Sequence, residues 1–210
     1  MGSFDIYQAT RATTADLFGP ATNFTILNSS AREYSPAFSG DGLTLYFGSQ
    51  RSSAAIEMYV ATRATLADAF GPPSVVPEFA GMTADGPTLT SDDREMFYTQ
   101  NEIFRATHDA SGFTLTGPVA ELDMGSLEYP SITGDGLTIY MLSFASALLT
   151  YSATRPDRSS PFTTPALEPV LSDGGDSDDP EVSKDGRTIV FASNRIGGQY
   201  DLFMSTRACQ

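Results

Sequence analysis

Apolar residues fall along this chain in short runs, each fenced by Pro, Gly, Asp or Ser. "LTLYF" (43–47) and "RTIVF" (187–191) are such runs. They are rich in β-branched and aromatic residues, and too short and too closely bounded by turn residues for helices. No stretch carries the 3.6-residue spacing of an amphipathic helix, so a solenoid of helix pairs is excluded. The pattern predicts an all-β chain of short strands.

The runs repeat. One pattern occurs five times: "DIYQATR" (5–11), "EMYVATR" (57–63), "EIFRATH" (102–108), "LTYSATR" (149–155) and "DLFMSTR" (201–207). A second occurs four times: "SPAFSGDGLTLYF" (35–47), "GPTLTSDDREMFY" (86–98), "YPSITGDGLTIYM" (129–141) and "DPEVSKDGRTIVF" (179–191). A third, looser pattern with Phe and Pro follows the first at 18–27, 70–79, 113–122 and 162–171. A recurrence of about 45–50 residues built from four short strands is the arithmetic of a β-propeller blade. Each unit reads as a Pro-led inner strand, a turn, an apolar second strand, the "Ala-Thr-Arg" strand and a fourth strand.

The turn has its own chemistry. Asp-Gly pairs stand at 41–42, 135–136 and 185–186, with Asp92–Asp93 in the remaining copy. Asp-Gly suits a tight type I′ hairpin, which needs positive φ at both central residues. Ser39, Thr90, Thr133 and Ser183 each precede the aspartate by two and are placed to bond the turn backbone. Pro36, Pro87, Pro130 and Pro180 are expected to open the inner strands, where a missing N–H costs little.

"YSPAFSGDGLTLYFGSQR" and "DDPEVSKDGRTIVFASNR…YDLFMSTR" resemble the repeats of TolB-type β-propellers, with Pro-x-x-Ser-x-Asp-Gly, then Ser-x-Arg, then Asp-Ile-Tyr. The resemblance covers nearly the whole chain. It is strongest at 34–63 and 178–207 and weakest at 85–108, where Asp93 replaces the Gly and "TQN" the Ser-x-Arg. It implies the propeller fold and, for compartment, a periplasmic or secreted bacterial protein. It carries no function, because the repeat is structural.

The counts of repeated strands do not match. The chain starts with third and fourth strands and ends with first, second and third. Four blades in one domain, residues 1–210, account for every inner strand. The N-terminal segment then closes the ring as an outer strand of the last blade, and one "Ala-Thr-Arg" strand is surplus. Five blades are the alternative, with one blade lacking its two inner strands.

Composition narrows function mainly by exclusion. Twelve basic residues face 26 acidic ones, a net charge of −14, which argues against nucleic acid. No apolar run is long enough for a spanning helix, so membrane insertion is not expected. The one cysteine, Cys209, rules out disulfides within the chain and paired-cysteine metal sites. Met1–Ser3 read as a start methionine and a cloning remnant.

Candidate chemistry sits at the head of each inner strand. Glu33, Asp85, Glu128, Asp178 and Asp179 stand just before the prolines, and repetition is expected to set them at one height around the axis. Converging carboxylates repel unless a cation lies among them, and calcium, a flexible oxygen-ligated ion, is the natural candidate. Tyr34 and Tyr129 precede two inner strands and are candidate ligand-stacking residues. "DGGDSDDPE" (173–181) is the most acidic stretch but lacks the EF-hand ligand spacing. Arg11, Arg63, Arg155 and Arg207 are expected to scaffold blades by pairing with Asp5, Glu57 or Asp201, and His108, the sole histidine, takes the arginine place once. No nucleophile elbow, phosphate loop or HExxH occurs.

The reading that follows is a non-catalytic binding propeller, taking a cation, a small ligand, or a protein or peptide partner at its acidic mouth. A carbohydrate hydrolase or lyase using two mouth carboxylates is the enzymatic alternative. A structural module of a larger protein is the third.

Overall fold

The repeat pattern becomes four antiparallel blades around one axis in the computed structural model, which describes residues 4–145 and 147–207. Met1–Ser3 and Cys209 lie outside the described residues. A short N-terminal pair comes first, β1 (Tyr7–Gln8) and β2 (Thr22–Asn23). Blade 1 is β3 (Glu33–Phe38), β4 (Thr44–Ser49), β5 (Glu57–Thr62) and β6 (Ser74–Val75). Blade 2 is β7 (Asp85–Leu89), β8 (Glu95–Thr99), β9 (Ile103–Asp109) and β10 (Gly112–Pro118). Blade 3 is β11 (Leu127–Ile132), β12 (Thr138–Ser143), β13 (Leu149–Thr154) and β14 (Ala166–Leu167). Blade 4 is β15 (Asp178–Val182), β16 (Thr188–Ser193) and β17 (Asp201–Thr206). Each blade runs in sequence order from the axis outwards, as up-and-down pairing requires.

The core lies between blades. Tyr46 and Met58 of blade 1 pack on Leu89, Met96 and Tyr98 of blade 2. Phe97 and Ile103 of blade 2 pack on Ile132, Ile139 and Met141 of blade 3. β4 and β8 are buried almost throughout because both of their faces are covered, whereas β16 of the last blade is buried on alternate residues.

The N-terminal pair departs from expectation. β1 bonds only β2, as a separate two-stranded sheet, and does not join β17. Its Ile6, with Leu27, is buried against Leu45, Phe47 and Tyr59 of blade 1. The surplus strand is therefore displaced onto the seam beside blade 1. Two "Ala-Thr-Arg" strands cannot share one place in a sheet, and the apolar face of blade 1 holds the first of them.

Blade-to-blade bonds run close to the axis at the turn end. Ser91 N–H donates to Gly134 O, and Gly134 N–H to Lys184 O, both at 2.9 Å. Gly40 N–H donates to Asp93 Oδ1 at 2.8 Å. The approach is tight enough that a Cβ on Gly40 would lie 1.9 Å from Ser91 O. Further up the axis, Thr88 Oγ1 accepts from Ile132 N–H of blade 3, and Ser131 Oγ from Val182 N–H of blade 4.

The turns are wider than type I′. Ser39 O accepts from Gly42 N–H, and of the Asp-Gly pair only the glycine has positive φ, +70° at Gly42. The aspartate stays right-handed because its carboxylate is already engaged. In each blade the Ser or Thr hydroxyl donates to the first Asp Oδ1 at 2.6–2.7 Å and accepts a backbone N–H five residues on. Asp93 takes the glycine position with φ 57°.

The arginines also differ from expectation. Arg63 Nε donates to Gly42 O at 2.9 Å and Arg155 Nε to Gly136 O at 2.7 Å, so each clamps the turn of its own blade. Each guanidinium also stacks on a phenylalanine, Phe70 or Phe162, at 4.6 Å. Arg155 also reaches a neighbouring blade, at Glu95 Oε2, 2.7 Å away. A planar fork can bond two acceptors and stack at once, which a single ion pair to Asp5 or Glu57 would forgo. His108 stacks on Phe113 and its Nδ1 lies 3.1 Å from Asp93 O, which makes it part of the scaffold.

Candidate functional site

Each inner strand carries a β-bulge at its proline, and these bulges shape the axial mouth. Register shifts fall between Tyr34 and Ala37, Asp85 and Thr88, Glu128 and Ser131, and Asp178 and Glu181. The prolines thus lie inside the strands rather than opening them, at positions where the bulge removes the need for a ladder N–H. The residue before each proline is left-handed: Ser35 at φ 47°, Gly86 at 58°, Tyr129 at 48° and Asp179 at 45°. Three side chains are therefore held in a conformation that costs of order 1–3 kcal/mol each. At Gly86 a Cβ would also meet the Tyr129 ring at 3.1 Å.

The four bulge residues and their prolines, with Glu181, line an axial cavity of about 240 Å³. The ring is fourfold in backbone but not in chemistry, since Ser, Gly, Tyr and Asp occupy equivalent places. A second cavity of about 480 Å³ adjoins it. It shares Ser35, Pro36, Tyr129 and Asp179 with the first and is walled outside by Phe4–Tyr7, Phe144 and Asp178.

The predicted carboxylates do not form one ring. Register pairs Glu33 with Ser49, one residue earlier than the pairs Asp85–Thr99, Glu128–Leu142 and Asp178–Ala192. A one-residue step along a strand turns the side chain to the other face. Glu33 is accordingly buried, accepting from Ser29 and Ser49 and paired with Arg51 at 3.2 Å. Tyr34 takes the place the acid holds in the other blades, pairing with Gly48. So Tyr34 and Tyr129 are not equivalent: Tyr129 stands at a bulge on the axis, while Tyr34 lines only the outer cavity, its hydroxyl 3.3 Å from Gln50 Oε1.

The remaining acids do gather. Asp85 is 5 % exposed; its Oδ1 accepts Gly86 N–H at 2.7 Å and its Oδ2 has no hydrogen-bond partner. Burial, reinforced by Glu128, outweighs the Gly86 N–H and the Ser35 hydroxyl and pushes its pKa up to about 6. Burial and the charges of Asp178, Asp85 and Glu181 push Asp179 up to about 6 as well. Glu128 and Asp178 are raised, chiefly by burial. Tyr129 is also raised, by burial and by Asp85 and Asp179. Asp176, from the acidic stretch, is instead tied to Asn194 and Tyr200 within blade 4.

Sequence reasoning missed Glu181. It follows Pro180 in the column Ala37, Thr88, Ser131 and Glu181, pointing into the axial cavity where protein surrounds it though solvent reaches it. Ser131 Oγ donates to its Oε2 at 2.9 Å, and burial raises its pKa. Lys184, further down the axis, donates across it to Leu89 O. A lone long acid in a column of small residues was the available signal. Among the described residues, no group of three or more His, Cys, Asp or Glu side chains is arranged around a point that could hold a metal ion.

Fold and site together define a small β-propeller with an acidic axial mouth. No protein-family model and no curated protein sequence matches the chain. Its fold is that of solved propellers, TolB among them. TolB from Acinetobacter baumannii is similar at TM-score 0.60 and 17 % identity, over 89 % of this chain and 43 % of that one. An α-L-arabinofuranosidase from Podospora anserina, solved with cellotriose, is similar at TM-score 0.56 and 11 % identity, over 95 % and 81 %. A chain of a nidogen/laminin complex is similar at TM-score 0.52 and 13 % identity, over 82 % and 60 %. The chain thus spans less than half the length of that TolB. Among the described residues no helix is long and apolar enough to cross a membrane.

Proposed function

We propose that this chain is a non-catalytic binding propeller whose axial mouth receives a cationic group. The observation that carries the reading is Asp85 Oδ2, a buried carboxylate oxygen without a partner beside a cavity faced by Asp179 and Glu181. An uncompensated buried acid costs stability, and a bound positive charge would restore its ionised form. Calcium is the first cation to try, and a lysine or arginine side chain of a protein or peptide partner the second. The backbone strain at Ser35, Tyr129 and Asp179 fits a preorganised binding ring. The TolB-type repeats support a periplasmic or secreted setting, and the likeness to a chain of a nidogen/laminin complex fits a protein partner.

A thermal melt with calcium, with chelator, and with a lysine-rich peptide tests this on the wild type and on Asp179→Asn. A ligand bound only by the folded state raises the midpoint by mass action. The expected result is a rise with one of the two that Asp179→Asn abolishes. No shift with either overturns the reading.

A second reading has one observation in its favour. Two carboxyls with pKa near 6 beside a tyrosine are what a glycoside hydrolase needs in its acid. Release of reducing sugar from polysaccharide substrates, lost in Asp179→Asn at unchanged stability, would establish it instead.

A further inference from the structure

The outer cavity differs in kind from the axial one. Phe4, Tyr7 and Phe144 are about half exposed, at 55 %, 57 % and 47 %, and all three line it. Single exposed aromatics are ordinary, but three from two segments far apart in the chain converging on one cavity are not. Two ring pairs flank the space: Phe4 with Tyr34, centroids 5.6 Å apart, and Tyr129 with Phe144, 5.9 Å apart. Asp178 and Asp179 form part of the remaining wall. Among the described residues no ion pair reaches either of them, while Glu33, at the cavity edge, is already matched by Arg51. Phe4 already carries one cation, with the Arg32 guanidinium 5.4 Å from its centroid.

A neutral apolar ligand would suit the rings and leave two carboxylates desolvated. A bare metal ion would suit the carboxylates and gain little from the rings. An alkylated ammonium suits both, because its charge is spread over methyl groups that are weakly hydrated and attracted to aromatic faces. The volume, about 480 Å³, lies in the range of small-molecule sites.

We propose that this outer cavity is a binding site for a small quaternary ammonium compound, held between the Phe4–Tyr34 and Tyr129–Phe144 pairs with Asp178 and Asp179 as counter-charges. The site goes beyond the axial reading and stands or falls separately. Tyr7 and Phe144 line only the outer cavity, and Glu181 only the axial one.

The test is calorimetric titration of the full chain with choline and with 3,3-dimethyl-1-butanol, its uncharged isostere. Choline is expected to bind about tenfold tighter than the isostere, the margin that desolvated cation–π contacts supply. Phe144→Leu should weaken choline about tenfold, and Asp178→Asn should weaken it too, while Glu181→Gln should leave it unchanged. Phe144 is a surface residue, so its replacement leaves the folded chain to be measured. Equal affinity for the two compounds overturns the proposal, as does the absence of heat with choline up to about 50 mM, far above an expected millimolar dissociation constant. Choline binding lost in Glu181→Gln but kept in Phe144→Leu would place the ligand on the axis and also overturn it.

Discussion

The two ends of the inner strands hold the same kind of side chain in opposite states. At the turn end, Asp41 and Asp185 have pKa values below the usual range, because a hydroxyl and backbone N–H groups bond their carboxylates. Asp92 is held down to about 2: its partial burial works the other way, but Arg158 and Thr90 prevail. Its neighbour Asp93, in the glycine position, is the exception at this end and is raised, chiefly by burial. At the mouth end, Asp85, Asp179, Glu128 and Asp178 are all raised, first by burial. One end spends its carboxylates on holding the fold. The other keeps them short of partners, which costs stability and is the usual mark of a site shaped for something else.

The strongest test of this contrast is pH. A carboxyl raised in the folded state holds its proton longer than in the unfolded chain. Asp85 therefore contributes stability that is present below its ordinary pKa of 3.8 and lost as pH rises to about 6. Asp41, Asp92 and Asp185 run the other way: their contribution is present above the ordinary value and lost as pH falls through their lowered pKa values. Stability should thus peak near pH 4, roughly where the two windows meet. Asp85→Asn should flatten the upper slope, leaving the part carried by Asp179 and its neighbours. It should also stabilise the protein by about 2–3 kcal/mol at pH 8, the free energy of ionising a buried carboxyl whose pKa stands near 6. Urea unfolding at a series of pH values measures both effects, and a slope unchanged in the variant would refute the contrast.

A smaller loss is expected at the other end. Ser39→Ala removes a hydroxyl that donates to Asp41 and accepts from Thr44 N–H, so it should destabilise by about 1–2 kcal/mol. Thr133→Ala, the same place in blade 3, should match it in the same denaturation assay. The smallest effect is the most telling. Asp179→Asn should change stability least, because solvent reaches this carboxyl and screens the neighbouring charges that raise its pKa, while abolishing the cation-dependent shift in melting.

The same separation appears between blades. The staple built from Ser-x-Arg is copied faithfully: Arg51 donates to Ser49 Oγ and Leu27 O, and Arg195 to Ser193 Oγ and Leu171 O. Burial is not copied. Met58 is 0 % exposed, and its counterpart Leu202 is 79 % exposed. The repeat writes the same strand twice, but only β5 has a following blade against it.

Much of the fold was legible in the residues. Repeat spacing, β-branched runs and Asp-Gly turns specified four antiparallel blades, because strand pairing and turn geometry are local and each repeat states them again. The turn hydroxyls were readable for the same reason. The site was half legible. Acids before the prolines pointed to the mouth, but Glu33 stands three residues before its proline where Asp85, Glu128 and Asp178 stand two before theirs, so strand alternation turns Glu33 inward and puts Tyr34 in the acids' column rather than beside Tyr129. The strands, their order within each blade and the excess of acid near the axis were written in the chain, since all three follow from contacts a few residues apart. The place of the N-terminal pair, the partnerless oxygen of Asp85 and the cavity where residues 4–7 meet Phe144 and Asp178 arose only when the blades came together. Those features depend on which surfaces meet across the axis, and no spacing along a chain encodes the distance between its ends.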